Sequence, residues 1–140
     1  MNRKITPAAI ILAVSVAISL IVISFQKQGT HVCHYDGEKS RPIYEVNITL
    51  KDGDVMQFCS IYCAGAWFKE NAAKADTVIV TDEITGEKLD ASIAFFVESD
   101  VISVATTRNR IHAFKDEHHA QTHAKQYNGR NVVNPVNLSK

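Results

Sequence analysis

The chain has no excess of charge of either sign: fifteen lysines and arginines stand against fifteen aspartates and glutamates. No basic block interleaves with aromatic residues, so nucleic acid is not an expected partner. Nothing marks a surface for acidic partners either. Phosphate-binding loops, a nucleophile elbow and paired carboxylates are absent, and an enzyme is not expected. Cysteine is scarce. There are three residues, an odd number, which leaves at least one thiol without an intramolecular disulfide partner. A disulfide framework is therefore the weaker expectation, and metal binding or redox exchange the stronger.

One long uncharged run is present, from Ala8 to Phe25 and rich in Ile, Val, Ala and Leu. At about eighteen residues it approaches the span of a bilayer. Arg3 and Lys4 precede it, which predicts a cytoplasmic N-terminus and a C-terminal part outside the cytoplasm. Val22-Ile23-Ser24 is a tolerable cleavage context, but the run is long for a signal peptide, so a retained single-pass anchor in the cell membrane is expected. The chain then divides into an anchor and tether at 1–28, an extracytoplasmic domain at 29–134 and a frayed tail at 135–140.

Within the domain, Ile43 to Leu50 alternates, with Tyr44, Val46, Ile48 and Leu50 on one side, which predicts a half-buried strand. Lys51-Asp52-Gly53-Asp54 is hairpin turn chemistry, and Val55 to Phe58 returns. A helix follows from about Ser60 to Ala73, with Ala64, Trp67, Phe68 and Ala72 available as its buried stripe. Further strands are expected at Thr77–Thr81, within Leu89–Val97 and in the β-rich Val101–Thr106. Lys115 to Tyr127 reads as a second helix, stopped by Asn128-Gly129, and Asn131–Val133 as a last short strand. This order predicts an α+β fold, an antiparallel sheet carrying two helices, preceded by the transmembrane helix. It is compatible with two strand-strand-helix halves.

The chemistry centres on Phe58-Cys59-Ser60-Ile61-Tyr62-Cys63. Two thiols four positions apart share one helix face, within reach of one small soft ion. Ser60 is a plausible N-cap, which puts Cys63 in the first turn, where the helix start favours a thiolate. Cys33 lies just ahead of the first strand. Three thiolates suit Cu(I); zinc is the alternative, since it wants four ligands and His34 beside Cys33 would supply the fourth. The candidate ligands are thus Cys33, Cys59, Cys63 and His34. Inert packing of the cysteines as small hydrophobes is the bland alternative. A membrane-tethered thiol–disulfide protein using Cys59 and Cys63 is another, although the Cys-x-x-x-Cys spacing has no thioredoxin-like surroundings. His31 is a further donor near Cys33, Met56 reads as core, and His112 as either structural or functional. His119 and His123 are spaced i, i+4, as in two-histidine metal sites, or simply form a solvated helix face.

Several of these residues also resemble a known family. Val32-Cys33, Lys51-Asp52-Gly53, Phe58-Cys59-Ser60, Val80-Thr81-Asp82, Thr85-Gly86, Asp90-Ala91 and Ala94-Phe95-Phe96-Val97 occur in the order seen in the NosL family. Ala113-Phe114, Ala120, Ala124 and Asn128-Gly129 continue the match, which spans about Val32 to Val133. The resemblance implies a membrane-associated, extracytoplasmic Cu(I)-binding protein, a metallochaperone or metal-site assembly factor. Cys33 matches the family's first ligand cysteine. The implied partner is a copper-receiving protein, in the best-known members nitrous oxide reductase. Two features depart from the pattern. An apolar anchor stands in place of a lipid-modified cysteine, and Tyr35 stands where members carry a methionine.

Overall fold

Pro42 favours the first position of a helical turn, and Pro42–Tyr44 form a short 3-10 turn. The first strand therefore starts at Val46 rather than Ile43. Strand β1 (Val46–Leu50) buries Val46 and Ile48, as its alternation predicts. A turn through Gly53, at φ 94°, returns the chain as β2 (Val55–Phe58). Helix α1 (Ile61–Asn71) follows and buries Ile61, Cys63, Ala64, Gly65 and Phe68. Then come β3 (Ala75–Thr81), β4 (Lys88–Asp90), β5 (Phe95–Glu98), β6 (Ile111–Phe114), helix α2 (Glu117–Gln126) and β7 (Arg130–Asn131). The computed structural model describes residues 31–138. The expected anchor at 8–25 lies outside them, and among the described residues no helix is long and apolar enough to cross a membrane.

The fold is α+β, with two antiparallel sheets ordered β2-β1-β3-β4 and β6-β5-β7. Each sheet is built the same way: a hairpin, a helix, then a third strand on the free side of the first. The registers coincide. Val46 faces Phe58 as Phe95 faces Phe114, and Ile48 faces Met56 as Val97 faces His112. On the other side, Thr49 faces Thr77 as Glu98 faces Arg130. The turns ahead of the two hairpins correspond as well. Cys33 N–H donates to Glu38 O and Gly37 N–H to Cys33 O; Asp82 N–H donates to Glu87 O and Gly86 N–H to Asp82 O. Both glycines sit at φ 74°, which a side chain disfavours. Cys33 and Asp82 therefore hold matching places.

The main core joins Val46, Ile48, Phe58, Val78, Val80 and Phe96 to Ala64 and Phe68 of α1. A smaller cluster of Val97, Phe114 and Ala120 lies under α2. Three expectations change. Val101–Thr106 is a loop, closed by a lone bridge between Val104 and Asn109, because β6 and β7 already occupy both sides of β5. The strand in that region is β6, which spacing alone had not marked. The C-terminal segment packs rather than frays: Val136 is buried in the main core, and Pro135 abuts Gly65 of α1.

Candidate metal centre

Each donor is held by a local rule of chain geometry. The turn at 33–38 is docked on β2 by His34 N–H, which donates to Gln57 O at 2.7 Å. Within it, Asp36 Oδ1 accepts the Glu38 N–H at 3.1 Å, an Asx arrangement that fixes the carboxylate. At the far end of β2 the chain passes through Cys59 into α1. Ser60 caps the helix as expected, its Oγ accepting the Cys63 N–H at 3.2 Å. The Tyr62 N–H, another orphan donor of the first turn, is taken by Asn109 Oδ1 at 3.0 Å. Asn109 is itself buried and bound to Ser103 and Ile111, so the 103–109 loop braces the start of α1.

These elements bring Cys33, Cys59, Cys63 and Asp36 together, with one donor atom from each lying within 4.8 Å of all the others. The Cys59 and Cys63 sulfurs are 3.6 Å apart. Asp36 Oδ2 is 3.3 Å from Cys63 Sγ and 3.7 Å from Cys59 Sγ. All three cysteines are buried and unbridged, whereas Asp36 is exposed. This is a buried sulfur cluster closed on one side by a carboxylate. Beside Cys59 opens a groove of about 320 Å³ between Glu38, Lys39 and Arg41 on one wall and the 102–106 loop on the other.

Burial controls the thiols. It pushes the Cys59 thiol up to about 12 and the Cys63 thiol up as well. The Ser60 hydroxyl acts the other way on Cys63 but does not prevail, so the thiolate expected at the helix start is overridden by desolvation. Thiol–disulfide exchange needs a thiolate as attacking group, and these two thiols are held protonated. Burial also pushes Asp36 up. Hydrogen bonds from the Cys33 thiol, the Glu38 N–H and the Cys63 and Cys59 thiols outweigh it and keep the carboxyl below its ordinary range.

His34 is not brought into the cluster. Its ring lies edge-on to Phe58, centroids 6.1 Å apart. Cys33 is buried at the head of the turn, whereas His34, the next residue, is exposed. His31 bonds Glu45 Oε1 through Nδ1 at 2.8 Å, and Met56 packs against the core. His119 and His123 line a separate cavity of about 390 Å³, but among the described residues no three donors converge there. His123 Nε2 bonds Ser99 Oγ at 3.0 Å, and its ring packs on His112, Phe114 and Tyr127. His112 is buried, bonded to Glu83 Oε2 at 2.7 Å and to Val101 O at 3.2 Å. Asp36, read from sequence as turn chemistry, is the donor that sequence reasoning missed. The available signal was its place directly ahead of Gly37 in a segment already carrying a candidate ligand.

No protein-family model matches the sequence, and no curated protein does. Among solved structures, the crystal structure of the copper chaperone NosL from Shewanella denitrificans matches with a TM-score of 0.66 and 21% identity. The match covers 75% of this chain and 87% of that one. The chain has the NosL-like fold that its sequence motifs suggested.

Proposed function

We propose that the chain is a membrane-tethered, extracytoplasmic Cu(I)-binding protein, a metallochaperone or metal-site assembly factor. The observation that carries the reading is the convergence of three buried thiols, one of which, Cys59, lines a groove. Thiolates are soft donors, and Cu(I) accepts two or three of them at low coordination number. Burial keeps water and oxidants from a reactive cluster, while the groove beside Cys59 gives a partner's ligand a way in. The ion would enter as the thiols lose their protons. It would leave by ligand exchange, a donor of the recipient binding before a thiolate of this chain lets go. The fold shared with a protein named as a copper chaperone agrees with this role.

Tethering rests on the uncharged run at 8–25, and the extracytoplasmic side on Arg3 and Lys4 ahead of it, which support that orientation. The recipient is then an extracytoplasmic copper-receiving protein, of the nitrous oxide reductase kind if the family resemblance extends to partners. The test is an anaerobic Cu(I) titration of the reduced full chain in mild detergent against a competing chelator. It would be repeated with Cys33→Ser, Cys59→Ser and Cys63→Ser. One-to-one binding that every substitution weakens at least about tenfold supports the reading. Binding no tighter than the chelator's, and indifferent to the substitutions, overturns it.

A further inference from the structure

Copper(I) uses the three sulfurs and leaves the fourth donor, the carboxylate of Asp36, without a role. A hard oxygen has little to offer a soft monovalent ion. Yet this oxygen is placed with care. The turn aims it inward, and it lies 3.3 Å from one buried sulfur and 3.7 Å from another. Four-coordinate zinc, with Zn–S of about 2.3 Å and Zn–O of about 2.1 Å, has tetrahedral edges of about 3.8 Å between sulfurs and about 3.6 Å between sulfur and oxygen. A trigonal plane with the same bonds would spread the sulfurs to about 4.0 Å. The 3.6 Å between the Cys59 and Cys63 sulfurs and the 3.3 and 3.7 Å from them to Asp36 Oδ2 are of the size of such tetrahedral edges.

The second half of the domain supplies a comparison. There the matching turn carries Thr85 at the place of Asp36, and its hydroxyl donates to Asp82 Oδ2 at 2.7 Å. The same Asp82 accepts the Lys115 N–H, at the place of Cys59, at 2.8 Å. In both halves, then, the side chain of the turn residue meets the side chain at the head of its turn, Asp36 accepting from the Cys33 thiol and Thr85 donating to Asp82. In the second half the cluster is closed by hydrogen bonds around one carboxylate. In the first it is a set of four metal-type donors. The contact of Asp36 with the head of its turn thus has a counterpart in the second half, whereas its approach to Cys59 and Cys63 belongs to the first half.

We infer that Asp36 completes a four-coordinate site of three sulfurs and one oxygen, which takes a thiophilic divalent cation of the zinc class. The inference rests on the proposed thiol site and adds a specificity-determining residue to it. Asp36 widens the choice of ion: the three sulfurs serve Cu(I) with or without it, and with it the site also satisfies a tetrahedral divalent cation. Zinc was expected from sequence to draw its fourth ligand from His34, and the geometry moves that role to Asp36.

Co(II), whose visible ligand-field bands report four-coordination, is the probe. It is titrated anaerobically into the reduced full chain and into Asp36→Asn, with Cu(I) titrated into both in parallel. Asparagine keeps an oxygen for the Glu38 N–H and removes the charge, and far-ultraviolet circular dichroism checks the fold. The expected result is one Co(II) bound per chain with sulfur charge-transfer bands and intense four-coordinate bands. Asp36→Asn should lower Co(II) affinity at least about tenfold while changing Cu(I) affinity less than about threefold. Equal Co(II) affinity and spectra in both proteins, or Cu(I) binding without any Co(II) binding, would overturn the inference and leave the copper site standing. Failure to bind either ion would remove the thiol site itself, and the inference with it.

Discussion

Asp82 holds in the second half of the domain the place that Cys33 holds in the first, at the head of a turn closed by the same pair of backbone hydrogen bonds. Asp82 is buried, and its carboxylate accepts from Thr85 and from the Lys115 N–H. It is the structural member of the pair, whereas Cys33 is a ligand in the proposed copper site. On that proposal the domain keeps one half as a scaffold and carries its chemistry in the other.

Replacing Asp82 should accordingly unfold the scaffold, not the site. Asp82→Ala strands three hydrogen-bond donors and should cost about 3 kcal/mol, read from urea denaturation. Burial pushes this carboxyl up, but hydrogen bonds from Thr85 and Lys115 hold it below its ordinary range. Its contribution is therefore complete above the unfolded value of about 3.9 and fades as pH falls through the lower folded value. The gap in stability between wild type and Asp82→Asn should narrow below about pH 4. A gap that widens there contradicts the assignment.

The start of α1 is braced from two sides, and the braces should separate in energy. Ser60→Ala removes the N-cap at Cys63 and should cost about 1 kcal/mol. Asn109→Ala removes the cap at Tyr62 together with the bonds to Ser103 and Ile111, and should cost about 2–3 kcal/mol. Chemical denaturation gives both numbers. An Asn109→Ala loss smaller than that of Ser60→Ala would mean that the 103–109 loop does not brace the helix.

Copper affinity should rise with pH. Burial holds the Cys59 and Cys63 thiols protonated through neutral pH, whereas bound thiolates are not. Each proton released on binding strengthens the apparent association constant by up to about tenfold per pH unit. Chelator competition between pH 6 and 8.5 measures the slope. A flat profile would mean that the ligands are already ionised, or are not thiols.

The histidine pair on α2 should prove irrelevant to Cu(I). His123 is committed to Ser99 and to the rings around it. Replacing His119 and His123 by alanine should leave the stoichiometry at one, as read by the same titration. Loss of a second equivalent would reveal a site that the folded geometry does not assemble.

Local patterns in the sequence carried much of the fold. Alternation located β1, and Ser60 and Asn128-Gly129 marked helix ends; the Gly129 N–H indeed closes on Ala124 O at 2.7 Å. What could not be read depended on long-range partners. His112 interrupts a four-residue strand with a buried polar group, and so hid β6; the β-branched 101–106 segment pairs in neither sheet, both sides of β5 being taken by β6 and β7. The cysteines were legible by residue type. Asp36 was not, because its meeting with Cys63 spans 27 positions and exists only once the turn docks on β2. The repeated Gly37-Glu38-Lys39 and Gly86-Glu87-Lys88 would have exposed the two halves to a search for internal repeats.

The central claim is that Cys33, Cys59 and Cys63 together hold one Cu(I). X-ray absorption at the copper edge of the Cu(I)-loaded chain tests it most directly. A first shell of three sulfurs, reduced to fewer in Cys33→Ser, is the predicted result. A shell dominated by nitrogen or oxygen, or one unchanged when Cys33 is replaced, would contradict it.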